Sequence, residues 1–208
     1  MIRKNGCDLS HWNSIYDFDA LAKEVRFVIL KAGGSDNKTH GYMDPCFRNY
    51  YEELKKRGIG LGAYFFVGKH CTSYAEGVKD AETLLRIIED RAFEYPLYID
   101  LEAPDKAYRL GNTEACKGFC NTLEAKGYYA GIYASDISGF KERLFMDDLQ
   151  RYDKWVARYG TNPSYCKEYG LWQYSSKGSL AGVSGYVDLD YCYKSYPAIM
   201  KRAHLNKF

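Results

Sequence analysis

Tyr95-Pro-Leu-Tyr-Ile-Asp-Leu-Glu102 is the stretch on which the reading of this chain turns. It is apolar for most of its length and then acidic. Side chains alternate across a strand with period two, so Asp100 and Glu102 are expected on one side of it. Unpaired buried charge is costly, so an acidic end to an apolar strand has a cause. One cause is structural, a helix cap or an ion pair. The other is chemical: two nearby carboxylates whose pKa values are pushed apart leave one as proton donor and the other ionised.

Working outward, further apolar and aromatic runs read as strands at residues 6–9, 26–31, 61–66, 128–133, 154–159, 170–174 and 187–191, with 97–102 fourth of the eight. Helical patterns fall at 18–24, 44–57, 73–91, 113–126 and 136–142. Asp44-Pro45 reads as an N-cap with proline at the first helical position, and Gly58 as the stop. Thr113 reads as the cap of the fourth helix and Gly127 as its end. Strand and helix alternate through five units, which predicts βαβ connections and a parallel sheet. The segments 160–169 and 175–186 lack room for a crossover helix of about a dozen residues. The last strands must therefore join by loops or hairpins. The expected fold class is α/β, an irregular TIM-like barrel of eight strands in a single domain. In such barrels the active site lies at the carboxyl ends of the strands.

Other acids fall at the same level. Asp8 ends the first strand, and Asp188 and Asp190 are read as ending the eighth. Barrel closure makes those strands neighbours, so Asp8 and Asp188 are expected on one side of the mouth, across from Asp100 and Glu102. Tyr64, Phe66, Tyr133 and Trp172 lie on or near strand ends and are candidate contacts for a bound substrate. Arg158 is a candidate for a substrate carboxylate. His11 is expected as an exposed loop histidine.

Composition narrows the classes. A length of 208 residues fits one domain, and 46% hydrophobic content supplies a core. A net charge of +2 makes no case for nucleic acid and none against an anionic polymer. The 21 Tyr, 10 Phe and 3 Trp suit sugar rings as well as a core. No apolar run approaches the roughly 20 residues of a membrane span, and the basic start at Met1 is not followed by the apolar run of a secretory signal. Seven cysteines without a Cys-x-x-Cys pair read as free buried thiols made in a reducing cytosol. His11, His40, His70 and His204 show no paired zinc spacing. No cofactor and no metal is expected, and the protein is expected to be a monomer. Two rival readings remain: a metal-dependent hydrolase using the same acids, which EDTA would inactivate, and a non-catalytic binding barrel.

Read in order, several blocks carry a resemblance: Gly6-Cys7-Asp8-Leu9-Ser10, Phe27-Val28-Ile29-Leu30-Lys31-Ala32, Gly60-Leu61-Gly62-Ala63-Tyr64-Phe65-Phe66, Tyr98-Ile99-Asp100-Leu101-Glu102, Gly131-Ile132-Tyr133, Trp155-Val156-Ala157-Arg158-Tyr159, Leu171-Trp172-Gln173-Tyr174-Ser175-Ser176-Lys177-Gly178 and Val183-Ser184-Gly185-Tyr186-Val187-Asp188. Together with the aromatic 44–51 segment, the chain up to about Tyr193 resembles the glycoside hydrolase family 25 lysozymes, the Chalaropsis-type N-acetylmuramidases. The resemblance implies a (β/α)5(β)3 barrel over residues 1–195, with 196–208 a short tail packing on or trailing from it. It implies cleavage of the β-1,4 bond between N-acetylmuramic acid and N-acetylglucosamine in bacterial peptidoglycan. Glu102 would match the general acid/base, Asp100 its partner, and Asp8 and Asp188 the other acids of the site. Net retention with help from the substrate's own acetamide is the expected course. Arg158 would meet the lactyl or peptide carboxylate. Such an enzyme is expected to be made in the cytoplasm and to reach the wall after release. Two departures stand out: Asp190 occupies a place often held by Asn and is read as non-catalytic, and Phe65 stands where many members carry His. A chitinase-like reading shares the paired acids, but the Trp172-Gln173-Tyr174-Ser175-Ser176 block does not fit it.

Overall fold

The computed structural model describes residues 3–36, 41–89 and 91–208. The readings of Met1 and of His40 lie outside these. Eight strands form a closed ring: β1 (Lys4–Leu9), β2 (Phe27–Gly34), β3 (Gly60–Phe66), β4 (Leu97–Asp100), β5 (Ala130–Ser135), β6 (Asp153–Ala157), β7 (Leu171–Gly178) and β8 (Val187–Cys192). Neighbours from β1 to β7 pair in parallel. β8 runs antiparallel to both β7 and β1 and closes the ring. The chain passes from β6 to parallel β7 without a helix, and β7 turns back into β8, as the short gaps require. The expected α/β barrel, with five βα units followed by three strands, is the observed one.

The helices cover the outside: α1 (Phe18–Glu24), α2 (Phe47–Lys56), α3 (Tyr74–Ile88), α4 (Arg109–Ala125), a π-helical segment Asp136–Lys141, and α5 (Tyr196–Ala203). α3 and α4 approach through small residues. A Cβ on Gly77 would lie 2.0 Å from the Ala115 carbonyl oxygen.

Three local expectations are corrected. Thr113 does not cap α4, which begins at Arg109; its hydroxyl lies inside the helix, donating to the Arg109 carbonyl at 2.8 Å and accepting from Phe145 N–H at 2.9 Å. A helical Thr commonly bonds back one turn in this way, and the sequence did not show that the helix had already begun. Asp44 caps the turn before α2 through the Cys46 N–H, so proline does not occupy the first helical position. Strand β4 ends at Asp100, so Glu102 stands beyond it on the following loop.

Alternation on the strands divides the core. One set of side chains packs between the sheet and the helices, including Cys7, Leu9, Val28 and Leu30. The other fills the barrel, with Phe27, Ile29, Tyr98, Trp155 and Leu171 at its centre. α5 closes the amino-terminal end of the barrel: Tyr196 is fully buried, packs at an angle against the Tyr95 and Tyr129 rings, and donates to Asp153 at 2.7 Å. Residues 196–208 are thus packed against the barrel. All seven cysteines are free thiols, six of them buried.

Candidate active site

The inward positions nearest the carboxyl ends of the parallel strands build the mouth. Register places Asp8 beside Asp188, and Asp100 beside Phe66 and Tyr133. Asp188 was expected at the end of its strand. It is instead the second residue of β8, and it reaches the mouth because β8 runs against its neighbours. Asp190 sits one layer deeper, opposite Gly6 and Gln173.

Asp100 is 4% exposed, and its Oδ1 accepts no hydrogen bond from any described residue. Burial raises its pKa well above the carboxylate range; the nearby Glu102 charge adds to this, and Lys31 opposes it. Glu102 opens to solvent at its outer side but is flanked by enough protein to lose hydration. That desolvation raises its pKa, while Arg143 and Lys31 pull the other way. Asp188 is raised by burial and then by Glu102. The field of Glu102 therefore reaches across the mouth to the β8 acid.

On the β1 side, Asp8 is buried and accepts from Gln173 Nε2 at 2.7 Å. Gln173 Oε1 accepts from the hydroxyls of Tyr133 and Tyr159, each at 2.9 Å. Burial, then Asp190 and Asp188, push the Asp8 carboxyl well up.

The predicted aromatic contacts divide. Tyr64 and Tyr133 face the acids, and both pack on Trp155. The Tyr133 hydroxyl is committed to Gln173. Phe66 lies under the Lys31 ammonium, 5.0 Å from its ring centre. Trp172 is not brought to the mouth. It points outward on β7, its indole N–H donating to the Arg158 carbonyl at 2.8 Å and its ring meeting Tyr174 and Tyr191. Parity explains this, because Leu171 and Gln173 take the inward positions. Arg158 pairs with Asp136 at 2.9 Å and with Ser164, so it straps the loop after β6 rather than offering a free cation. His11 is not a free loop residue either: its Nδ1 lies 2.7 Å from Asp44 Oδ2, and its backbone N–H donates to the same oxygen.

Three residues of the site went unread in the sequence. Gln173 holds Asp8 and two tyrosines; its inward parity with Leu171 was the available signal. Lys31 interrupts the apolar strand β2 three residues before its end, and that lone charge in an apolar run was the available signal. Arg143 comes from the segment after the π-helix, where no strand periodicity points to it.

A closed α/β barrel with acids facing one another across its mouth has the parts for cleaving a glycosidic bond, which requires a proton donor and a carboxylate near the anomeric carbon. The family model for glycosyl hydrolases family 25 matches residues 7–183. An autolytic lysozyme of Clostridium acetobutylicum is 25% identical over 189 residues, which take in 89% of this chain and 54% of that protein. The chain thus spans about half the length of that relative. The solved CTP1L endolysin superposes with a TM-score of 0.80 at 27% identity, over 96% of this chain and 70% of that one. The modular autolysin LytC from Streptococcus pneumoniae, solved with a synthetic peptidoglycan ligand, shares the fold with a TM-score of 0.78 at 24% identity, over 92% of this chain and 47% of that one. The chain belongs to glycosyl hydrolases family 25.

Proposed function

We propose that the protein cleaves the β-1,4 bond between N-acetylmuramic acid and N-acetylglucosamine in bacterial peptidoglycan, with net retention and with the substrate's acetamide as the internal nucleophile. The observation that carries the reading is Asp100: a buried carboxylate with an oxygen that no donor among the described residues meets, two residues before Glu102. An acetamide N–H is the missing donor.

The steps follow from the geometry. The departing glycosidic oxygen is a poor leaving group as an alkoxide, so it needs a proton. Glu102, raised by desolvation and open to the mouth, is the donor. In the free protein burial disfavours charge on Asp100 even more strongly. Once the acetamide N–H meets Asp100 Oδ1, the ionised form gains the hydrogen bond it lacked. Charge then settles on Asp100 and the proton on Glu102. The acetamide, polarised by Asp100, attacks the anomeric carbon as the leaving oxygen takes the Glu102 proton. Glu102 then acts as base toward the water that opens the cyclic intermediate. Asp8 and Asp188 lie on the far side of the mouth, where their charge favours the oxocarbenium-like transition state.

The family membership and the peptidoglycan ligand of the LytC structure support this choice of polymer. The same reading takes the protein as a monomer made in the cytoplasm that meets the wall after release. Digestion of purified peptidoglycan with mass analysis of the fragments tests it. Muramic acid at the new reducing ends is expected; glucosamine there, or cleaved peptide bonds, rejects the assignment. Wall binding without new reducing ends supports a non-catalytic barrel instead.

A further inference from the structure

Beneath the mouth lies a buried acid, Asp190, that the proposed reaction does not use directly. Asp190 is fully buried. Its Oδ1 accepts from the Trp155 indole N–H at 2.7 Å. Its Oδ2 meets no N–H or hydroxyl donor from any described residue. The carboxyl nearest to it in the register is that of Asp8, on the same face of the adjacent strand, and the two bear directly on each other's titration. Two carboxylates so placed repel unless a proton lies between them.

The surroundings offer no other compensation. The other group whose charge acts on Asp190 is Asp188, which is also acidic. Cys192, on the same face of β8, and Cys7 and Tyr174, on the other face of the sheet, are neutral groups, each with its pKa pushed up by burial. Tyr64, Tyr133 and Tyr159 stand around Asp8 in the same neutral condition. Lys31 acts on Asp100 and Glu102.

We propose that Asp8 and Asp190 share one proton and carry a single negative charge between them, and that Asp190 is a positioning residue that holds Asp8 in the orientation the mouth requires. Hydrogen bonds then run without interruption from Trp155 on β6 through Asp190 on β8, Asp8 on β1 and Gln173 on β7 to Tyr133 on β5, the register neighbour of Asp100. Loss of the shared proton adds a second buried charge. The Asp8–Asp190 bond breaks, and Gln173 loses its fixed partner. Burial first, opposed by the Trp155 and Asp8 hydrogen bonds, leaves the Asp190 carboxyl titrating at about 8.

Asp190→Asn is the informative variant. An Asn in that position keeps an oxygen toward Trp155 and turns an N–H₂ toward an ionised Asp8. The singly charged pair is then reproduced at every pH. In the wild-type protein the Trp155 indole N–H resonance, identified by its loss in Trp155→Phe, should shift with a midpoint of about 8. In Asp190→Asn that shift should vanish. No shift in the wild type between about pH 6 and 10, or an undiminished shift in Asp190→Asn, overturns the shared proton.

Activity tests the positioning role, which rests on the muramidase reading; the indole titration needs no substrate and stands apart from it. Asp190→Asn should stay within about threefold of wild type near neutral pH. Asp190→Ala, which strips Asp8 of its partner, should lose about tenfold or more in turnover. Equal losses in two variants with native unfolding temperatures would remove Asp190 from any role in positioning Asp8.

Discussion

Asp100 and Asp136 are buried aspartates at adjacent strand ends, and their surroundings are opposite. Asp136 follows the last residue of β5 and is 1% exposed. It accepts the backbone N–H groups of Ser164, Tyr165 and Cys166, the Ser164 hydroxyl and the Arg158 guanidinium. Burial pushes its pKa up, but these donors pull harder and leave it below the ordinary value. Asp100 ends β4, keeps an oxygen without a partner among the described residues, and is pushed up. Burial alone therefore does not mark a functional acid. The supply of donors does: the satisfied carboxylate is a structural strap, and the unsatisfied one awaits a ligand.

The largest effect expected at the mouth is from Glu102→Gln. This nearly isosteric swap removes the transferable proton and should lower peptidoglycan turnover about 10³-fold with the unfolding temperature unchanged. Near-normal turnover would mean that Glu102 is not the proton carrier. Asp100→Asn should lower turnover about 10²-fold. It should leave stability equal or higher, because a poorly solvated carboxyl becomes a neutral amide. The same swap at Asp136 should do the reverse. An amide N–H₂ facing N–H donors costs about 2–3 kcal/mol of stability, visible in urea unfolding, while turnover per folded molecule stays within about threefold. If Asp136→Asn proved as inactive as Asp100→Asn at equal stability, donor satisfaction would not separate the two roles.

The sequence carried the barrel well because its signals are local. Apolar runs of strand length, Gly stops after helices and segments too short for a crossover each depend on a few neighbouring residues. It carried Asp8, Asp100 and Asp188 to the mouth for a related reason, since strand ends are legible and closure joins first to last. It did not show that β8 runs backwards, so Asp188 was read at the wrong end of its strand while its place in the barrel came out right. Proximity misled at Trp172: nearness to a strand end is visible in sequence, but which face of β7 turns inward is shown by Gln173 bound to Asp8. Arg158 and Asp136 are 22 residues apart, and such pairings are set by tertiary contacts that no periodicity encodes. Lys31 was legible in principle, as a lone charge inside an apolar strand.

A smaller effect separates Asp100 from Asp136 without substrate. A carboxyl whose folded pKa is lowered contributes stability above the ordinary value of about 3.9, and that stability is lost as pH falls through the folded value. This is the Asp136 case, so Asp136→Asn should flatten the acid side of a plot of unfolding temperature against pH. A carboxyl whose folded pKa is raised contributes stability below the ordinary value, and that stability is lost as pH rises through the folded value. This is the Asp100 case, so the advantage of Asp100→Asn over wild type should be absent in acid and grow toward neutral pH. Lys31 should limit the growth, because its charge opposes the rise at Asp100. Unfolding curves for the two variants that stay parallel to wild type across the acid range would show that neither carboxyl titrates differently in the folded and unfolded chain. The contrast between strap and reactive acid would then rest on hydrogen-bond geometry alone.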